Sequence, residues 1–222
     1  MHLLFEDEAG FGRINKPKYC WCEKSVRPSV PCHHIREYRY AFGAVEPLNG
    51  DSCFLVLPFC DTICMNVFLQ ELSKKYAEDE VLLCCDSAAW HKSKTLVIPE
   101  NIHLFHIPPY TPEMNPIEQI WKELRKMGFR NEVFSTLNKV VERLCYTIRA
   151  LSSDAIRHIT AREWILNALD PGFRSLILCR DKESELKKHL LAERYCMIYN
   201  RAPLKIHIKH RKISRKWYNK TY

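Results

Sequence analysis

Val81-Leu82-Leu83-Cys84-Cys85 is an unbroken apolar run that stops at Asp86. A run this short, with no polar position on either side, suits a strand covered on both faces, which calls for helices above and below a sheet. The start of the chain repeats the pattern. His2-Leu3-Leu4-Phe5 leads straight into Glu6-Asp7-Glu8, which reads as a short buried strand projecting carboxylates from its end, with a loop after it. Strand ends in one sheet lie side by side, so Asp7 and Asp86 can converge although they are far apart in sequence.

The other segments fit around these two strands. Residues 13–34 hold Pro17, Pro28 and Pro31 among scattered charges and cysteines, so no long regular element is expected there. Residues 38–45 and 52–57, joined by Pro47-Leu48-Asn49-Gly50, read as a hairpin. Asp61-Thr62 caps a helix over about 61–76, with Val67, Phe68 and Leu72 on its apolar side. Residues 102–107 form another strand, stopped by Pro108-Pro109. Asn115-Pro116 opens a helix whose Ile117, Ile120, Trp121 and Leu124 make an i, i+3, i+4, i+7 apolar face. Two further helices cover about 135–151 and 153–169. The order of elements predicts an α/β fold, a mixed sheet with helices on its faces.

Composition narrows the setting. No run of 18 apolar residues exists, and the acids at residues 6–8 leave no room for a secretory signal, so neither a membrane nor export is expected and the reading is cytoplasmic. The 11 cysteines are irregularly spaced in a 222-residue chain, which fits reduced thiols better than a disulfide scaffold. Cys20, Cys22, Cys32, His33 and His34 could bind zinc but lack the usual two-residue gap between paired ligands, so ordinary loop residues are the preferred reading. The net charge of +8 comes from the end of the chain. Residues 1–171 hold 20 Lys+Arg against 22 Asp+Glu, and residues 172–222 hold 14 against 4. The basic stretch over 205–220 can neutralise phosphates, or it can be a solvated, frayed end.

Asp7 and Asp86 follow apolar strands, and Glu118 sits in the first turn of a helix. Carboxylates in such places suit Mg²⁺ or Mn²⁺, hard ions that take oxygen ligands and work in pairs on phosphoryl transfer. Each acid also has a plainer reading. Glu118 can close a capping box with Asn115, Asp86 can form an Asx turn, and Asp7 can be an ordinary strand-end acid.

Four blocks then bring in a family. Residues 5–11 (Phe-Glu-Asp-Glu-Ala-Gly-Phe), 42–45 (Phe-Gly-Ala-Val), 85–93 (Cys-Asp-Ser-Ala-Ala-Trp-His-Lys-Ser) and 104–121, with its Pro108-Pro109-Tyr110-Thr111-Pro112-Glu113-Met114-Asn115-Pro116-Ile117-Glu118 string, occur in the family's order. Together they resemble the DDE transposases of the mariner-like superfamily, in particular its bacterial insertion-sequence branch, over roughly residues 2–168. The resemblance implies a ribonuclease-H-like fold with a five-stranded mixed sheet, a catalytic domain over 1–170 and a basic extension over 171–222. It implies Asp7, Asp86 and Glu118 as catalytic residues holding two Mg²⁺ or Mn²⁺ ions. The implied chemistry is DNA cleavage at transposon ends and strand transfer into target DNA. Homodimer formation is expected with it. A ribonuclease-H-like nuclease or resolvase and an inactive DNA-binding remnant are the alternative readings.

Within the matching blocks, Glu8 points to the opposite side of the strand from Asp7. His91 and Lys92 stand near enough to Asp86 to meet a phosphate, a structural hydrogen bond being the other use of His91. Lys122, Arg125 and Lys126 extend from the Glu118 helix toward DNA, or form a solvated face. Pro108-Pro109-Tyr110 forms a rigid lead-in to that helix. Ser87 stands where the family usually has Asn, and the family's glycine around residues 22–28 is missing. The family's helix-turn-helix region has no counterpart in this sequence, so a separate helix-turn-helix subunit is an expected partner.

Overall fold

The computed structural model describes residues 1–14, 17–108 and 111–168. Their strands are β1 (His2–Gly12), β2 (Tyr38–Val45), β3 (Ser52–Leu57), β4 (Val81–Cys85) and β5 (Ile102–His106). They form one mixed sheet in the order β3-β2-β1-β4-β5, with the β3-β2-β1 meander antiparallel and β1-β4-β5 parallel. The helices are α1 (Thr62–Lys75), α2 (Ile117–Gly128), α3 (Leu137–Arg149), α4 (Ser153–Thr160) and α5 (Glu163–Ala168). The α/β, ribonuclease-H-like sheet expected from the sequence is present.

β1 does not end at Phe5 as expected but runs on through its acids to Gly12. The cause is pairing and parity. β2 pairs with β1 from Phe5↔Val45 to Gly12↔Tyr38, and Ala9 and Phe11 stay buried in the same core as Leu3 and Phe5. The parallel partner β4 stops sooner, its last pair being Phe5↔Cys84. Asp7 therefore lies inside a strand, just beyond the point where β4 leaves it.

Because side chains alternate along a strand, the two sheet faces have separate cores. Leu3, Phe5, Ala9 and Phe11 join Leu82 and Cys84 under α2, α3 and α4. Leu4, Phe42, Ala44, Val81 and Leu83 pack against Met65, Phe68, Leu69 and Leu72 of α1. Asp7 shares the odd parity of the α2 side; Glu6 and Glu8 share the even parity of the α1 side. The Asp61 carboxylate caps α1, accepting from the Cys64 N–H at 2.8 Å. Val67 is 43% exposed rather than part of the α1 stripe, because Cys64, Met65, Phe68, Leu69 and Leu72 already fill the buried face.

The helix expected over 153–169 is two helices, α4 and α5. The buried Thr160 hydroxyl donates to the Ile156 carbonyl at 2.7 Å, and Ala161 leaves helical geometry at ψ 76°. The new direction buries Ile165 in the α2-side core. In the β2-β3 turn Gly50 has φ +76°, and a Cβ there would meet the Ser153 carbonyl oxygen at 1.8 Å, so only glycine lets the turn pack on the start of α4.

Pro109, Tyr110 and the basic stretch over 205–220 lie outside the described residues, as does all of 171–222. Among the described residues Cys20, Cys22, Cys53, Cys60, Cys64, Cys84, Cys85 and Cys145 are free thiols, Cys20 and Cys22 being exposed. No helix there is long and apolar enough to cross a membrane.

Candidate active site

Asp7, Asp86 and Glu118 line one cavity of about 420 Å³, together with Asn115 and residues from the ends of β4 and β5. Each acid arrives by a different route. Asp7 sits in β1 directly opposite Gly43 of β2. A Cβ at Gly43 would stand 2.7 Å from the indole of Trp121 and 2.6 Å from the Phe54 ring. The bare glycine lets Trp121 of α2 lie across β2, where its Nε1–H donates to Asp7 Oδ2 at 2.9 Å. Burial raises the Asp7 carboxyl to about 7; the Trp121 N–H pulls the other way, and the Glu118 and Glu8 charges add to the rise.

Asp86 follows β4 and is half-exposed. Its Oδ1 accepts from the Ala88 N–H at 2.8 Å, forming the Asx turn, and lies 3.0 Å from His91 Nδ1. The His91 contact, the largest influence, holds the Asp86 carboxyl below its ordinary value despite partial burial. The Ser87 hydroxyl donates to the Ile107 carbonyl at 3.4 Å, so it joins the ends of β4 and β5.

Glu118 does not close a capping box. The Asn115 N–H donates to the Pro112 carbonyl at 3.0 Å, which removes the group that Glu118 would have capped. The Asn115 side chain instead donates from Nδ2 to the Glu6 carbonyl at 2.7 Å, tying the start of α2 to β1 beside Asp7. Asn115 Oδ1 is buried with no hydrogen-bond partner, in a residue that lines the same cavity. Three carboxylates and an orphaned amide oxygen line this cavity, a lining of oxygens whose chemistry suits hard divalent cations.

Behind the sheet plane, on the α1 side, stands a second polar cluster. His91 is buried, with Nε2 at 3.0 Å from Glu8 Oε1 and 3.6 Å from Glu6 Oε2. Trp90 Nε1–H donates to the same Glu8 oxygen at 2.8 Å. Burial works against the charged imidazole, but the contacts with Asp86, Cys85 and Glu8 and the field of Glu6 outweigh it and hold His91 protonated well above its ordinary range. The expected phosphate contact by His91 does not fit this placement, since both ring nitrogens are engaged inside the protein. Its structural use is the one observed: it braces Asp86 against Glu8. Lys92, next to it, is exposed and lines neither this cavity nor the groove described below.

A groove of about 790 Å³ runs beside α2. Lys122, Arg125 and Lys126 line it with Lys18, Arg130, Tyr19, Phe11 and Phe129. The Arg125 guanidinium lies over the Phe11 ring at 5.0 Å, and Tyr19 is fully exposed. Lys18 and Arg130 were not expected here. They come from the loop after β1 and the loop after α2, and only the fold brings them to the α2 cations.

Comparison with known proteins points in one direction. Residues 2–141 match the family described as DDE superfamily endonuclease. An uncharacterized protein, y4pE/y4sA of Sinorhizobium fredii (strain NBRC 101917 / NGR234), is 35% identical over 130 residues, covering 57% of this chain and 96% of that protein. Among solved structures, the Mos1 transposase paired-end complex with left transposon end superposes with a TM-score of 0.55 at 15% identity, covering 72% of this chain and 51% of that one. The Mos1 mariner paired end complex with Mn gives 0.55 at 13% identity, with the same coverage. At such identity the likeness is one of fold, and this chain spans about half the length of those structures.

Proposed function

Since this chain belongs to the DDE superfamily endonucleases, we propose that it is the catalytic domain of a DNA transposase, one that cleaves DNA at transposon ends and transfers the freed 3′-hydroxyl to target DNA. The observation that carries this reading is the meeting of Asp7, Asp86 and Glu118 around one cavity, with a cation-lined groove beside the same helix α2. Asp7, Asp86 and Glu118 would hold two Mg²⁺ or Mn²⁺ ions, which when bound would supply activation of the attacking oxygen and stabilisation of the leaving one. Mos1 structures described as complexes with Mn and with Mg support the choice of metals.

The residues of the chain do the rest. Trp121 and Gly43 fix the Asp7 carboxylate, His91 and the Ala88 N–H fix Asp86, and Asn115 ties the Glu118 helix to β1. Lys122, Arg125 and Lys126, with Lys18 and Arg130, neutralise the phosphates of a duplex laid along the groove. Lys92, exposed but outside the groove, adds a cation to the surface just past Asp86. Action at two DNA ends calls for a homodimer, and reading the ends calls for a helix-turn-helix partner.

The full chain with Mn²⁺ should nick DNA that carries the element's ends, and Asp86→Asn should abolish the nicking. Cleavage that survives this substitution sinks the site assignment. Cleavage of RNA–DNA hybrids or four-way junctions in preference to transposon ends overturns the transposase reading in favour of a nuclease or resolvase.

A further inference from the structure

The cluster on the α1 side of the sheet holds more than a brace for Asp86. Glu6 and Glu8 alternate onto that face of β1, Cys85 ends the neighbouring β4 on the same face, and His91 closes over them from the turn after Asp86. Ligand atoms of Glu6, Cys85 and His91 all lie within 4.8 Å of one another, and all three residues are buried. Glu8 Oε1, 3.0 Å from His91 Nε2, brings a fourth donor at 3% side-chain exposure. Both carboxylate oxygens of Glu6 are inaccessible to water and have no hydrogen-bond partner. A buried carboxylate left this way is costly, and an apolar residue at this strand position would avoid the cost.

We propose that this pocket is a structural zinc site, separate from the candidate active site, with Glu6, Cys85 and His91 as ligands and Glu8 completing four. The donor types decide the metal. A sulfur, an imidazole nitrogen and carboxylate oxygens in a closed four-coordinate set suit Zn²⁺, whereas Mg²⁺ and Mn²⁺ suit the all-oxygen set around Asp7. Tetrahedral Zn–N, Zn–O and Zn–S bonds of about 2.0–2.3 Å separate ligand atoms by roughly 3.3–3.8 Å; His91 and Glu6, at 3.6 Å, already meet this, His91 and Glu8, at 3.0 Å, part slightly, and the widest pair closes from at most 4.8 Å. The outer shell is already in place. His91 turns its other nitrogen to Asp86 Oδ1 at 3.0 Å, the arrangement in which a zinc-bound imidazole donates its remaining N–H to a carboxylate. Through that bond the zinc orients Asp86 without touching DNA. Binding releases the thiol proton and the proton on His91 Nε2 to solvent.

The test uses the full chain, stripped with chelator and titrated with Co²⁺, then Zn²⁺. One equivalent of Co²⁺ should give a thiolate-to-cobalt charge-transfer band in the near ultraviolet, removed by Zn²⁺ and unaffected by a large excess of Mg²⁺. The band should vanish in Cys85→Ser and persist in Glu118→Gln. Glu6→Gln, which keeps the thiolate, should retain the band with affinity lowered about 10-fold or more. A wild-type protein without the band overturns the proposal, even if Cys85→Ser does not fold. So does a band lost on Cys20→Ser, Cys22→Ser or Cys32→Ser, which would place the metal in the exposed loop.

Discussion

Asp7→Asn should stabilise the metal-free protein at neutral and alkaline pH. The Asp7 carboxyl is raised from 3.8 to about 7, chiefly by burial. Its folded value lies above its unfolded one, so the native state binds the extra proton between about pH 4 and 7, and stability falls as pH rises through that window. Above it the ionised form carries the full penalty. A shift of about three pKa units corresponds to about 4 kcal/mol. The carboxylate opens on the cavity, where water recovers part of that, so roughly 2–4 kcal/mol is expected. Asparagine has nearly the same shape, has no charge, and still accepts from Trp121 Nε1. Urea unfolding in chelator should therefore show the variant more stable than wild type by that amount at pH 8 and about equal at pH 4. Adding Mn²⁺ should narrow or close the gap. A cation at 100 times its dissociation constant stabilises the wild type by about 2.7 kcal/mol and leaves the variant little changed. A variant no more stable at pH 8, or a difference that does not vary with pH, would refute burial as the cause.

Three other substitutions test the surrounding architecture. Gly43→Ala should cost about 1–3 kcal/mol in chemical denaturation and weaken Mn²⁺ binding, because the new methyl meets Trp121 at 2.7 Å and drives it from Asp7. An unchanged Mn²⁺ isotherm would show that Trp121 does not position the acid. His91→Gln should weaken Mn²⁺ binding about 10–100-fold by calorimetry, since Asp86 loses its brace, while DNA affinity in chelator stays level; an equal loss in both would restore a DNA contact for His91. Lys122→Ala and Arg125→Ala should each lower the slope of log K against log salt for duplex DNA by about 1. Unchanged slopes would move the DNA path off the groove.

What the sequence made legible was parity and placement. Two apolar runs ending in acids were enough to put Asp7 and Asp86 near each other, and alternation along β1 put Glu8 on the far side. The DDE blocks then raised Glu118 above a helix cap. The structure removes the cap altogether, through an Asn115 N–H bonded to Pro112. Contacts perpendicular to the chain stayed hidden. Trp121 reads as one more apolar position in an i, i+3, i+4, i+7 stripe, and nothing in that spacing says its N–H reaches Asp7. Gly43 is legible only as part of a block, because its reason is a ring from another element. His91 looks like a surface residue five positions past an acid; its burial depends on Glu6 and Glu8, which lie on another strand.

Register ties these observations together. One strand feeds two sites, since Asp7 faces α2 and its neighbours Glu6 and Glu8 face the His91 cluster. A slip of β1 by one residue would exchange the faces, placing two acids against Trp121 and a lone Asp against His91. Pairing with β4 covers only His2 to Phe5, so register through the acids depends on β2. Opposite Asp7 in that pairing is Gly43, the one position where Trp121 and Phe54 leave no room for a Cβ. A one-residue slip would bring Phe42 or Ala44 opposite Asp7 in its place, each carrying a Cβ. The glycine that admits Trp121 to Asp7 therefore also penalises that slip, and the strand length beyond β4, unexpected from the sequence, is what lets it do so.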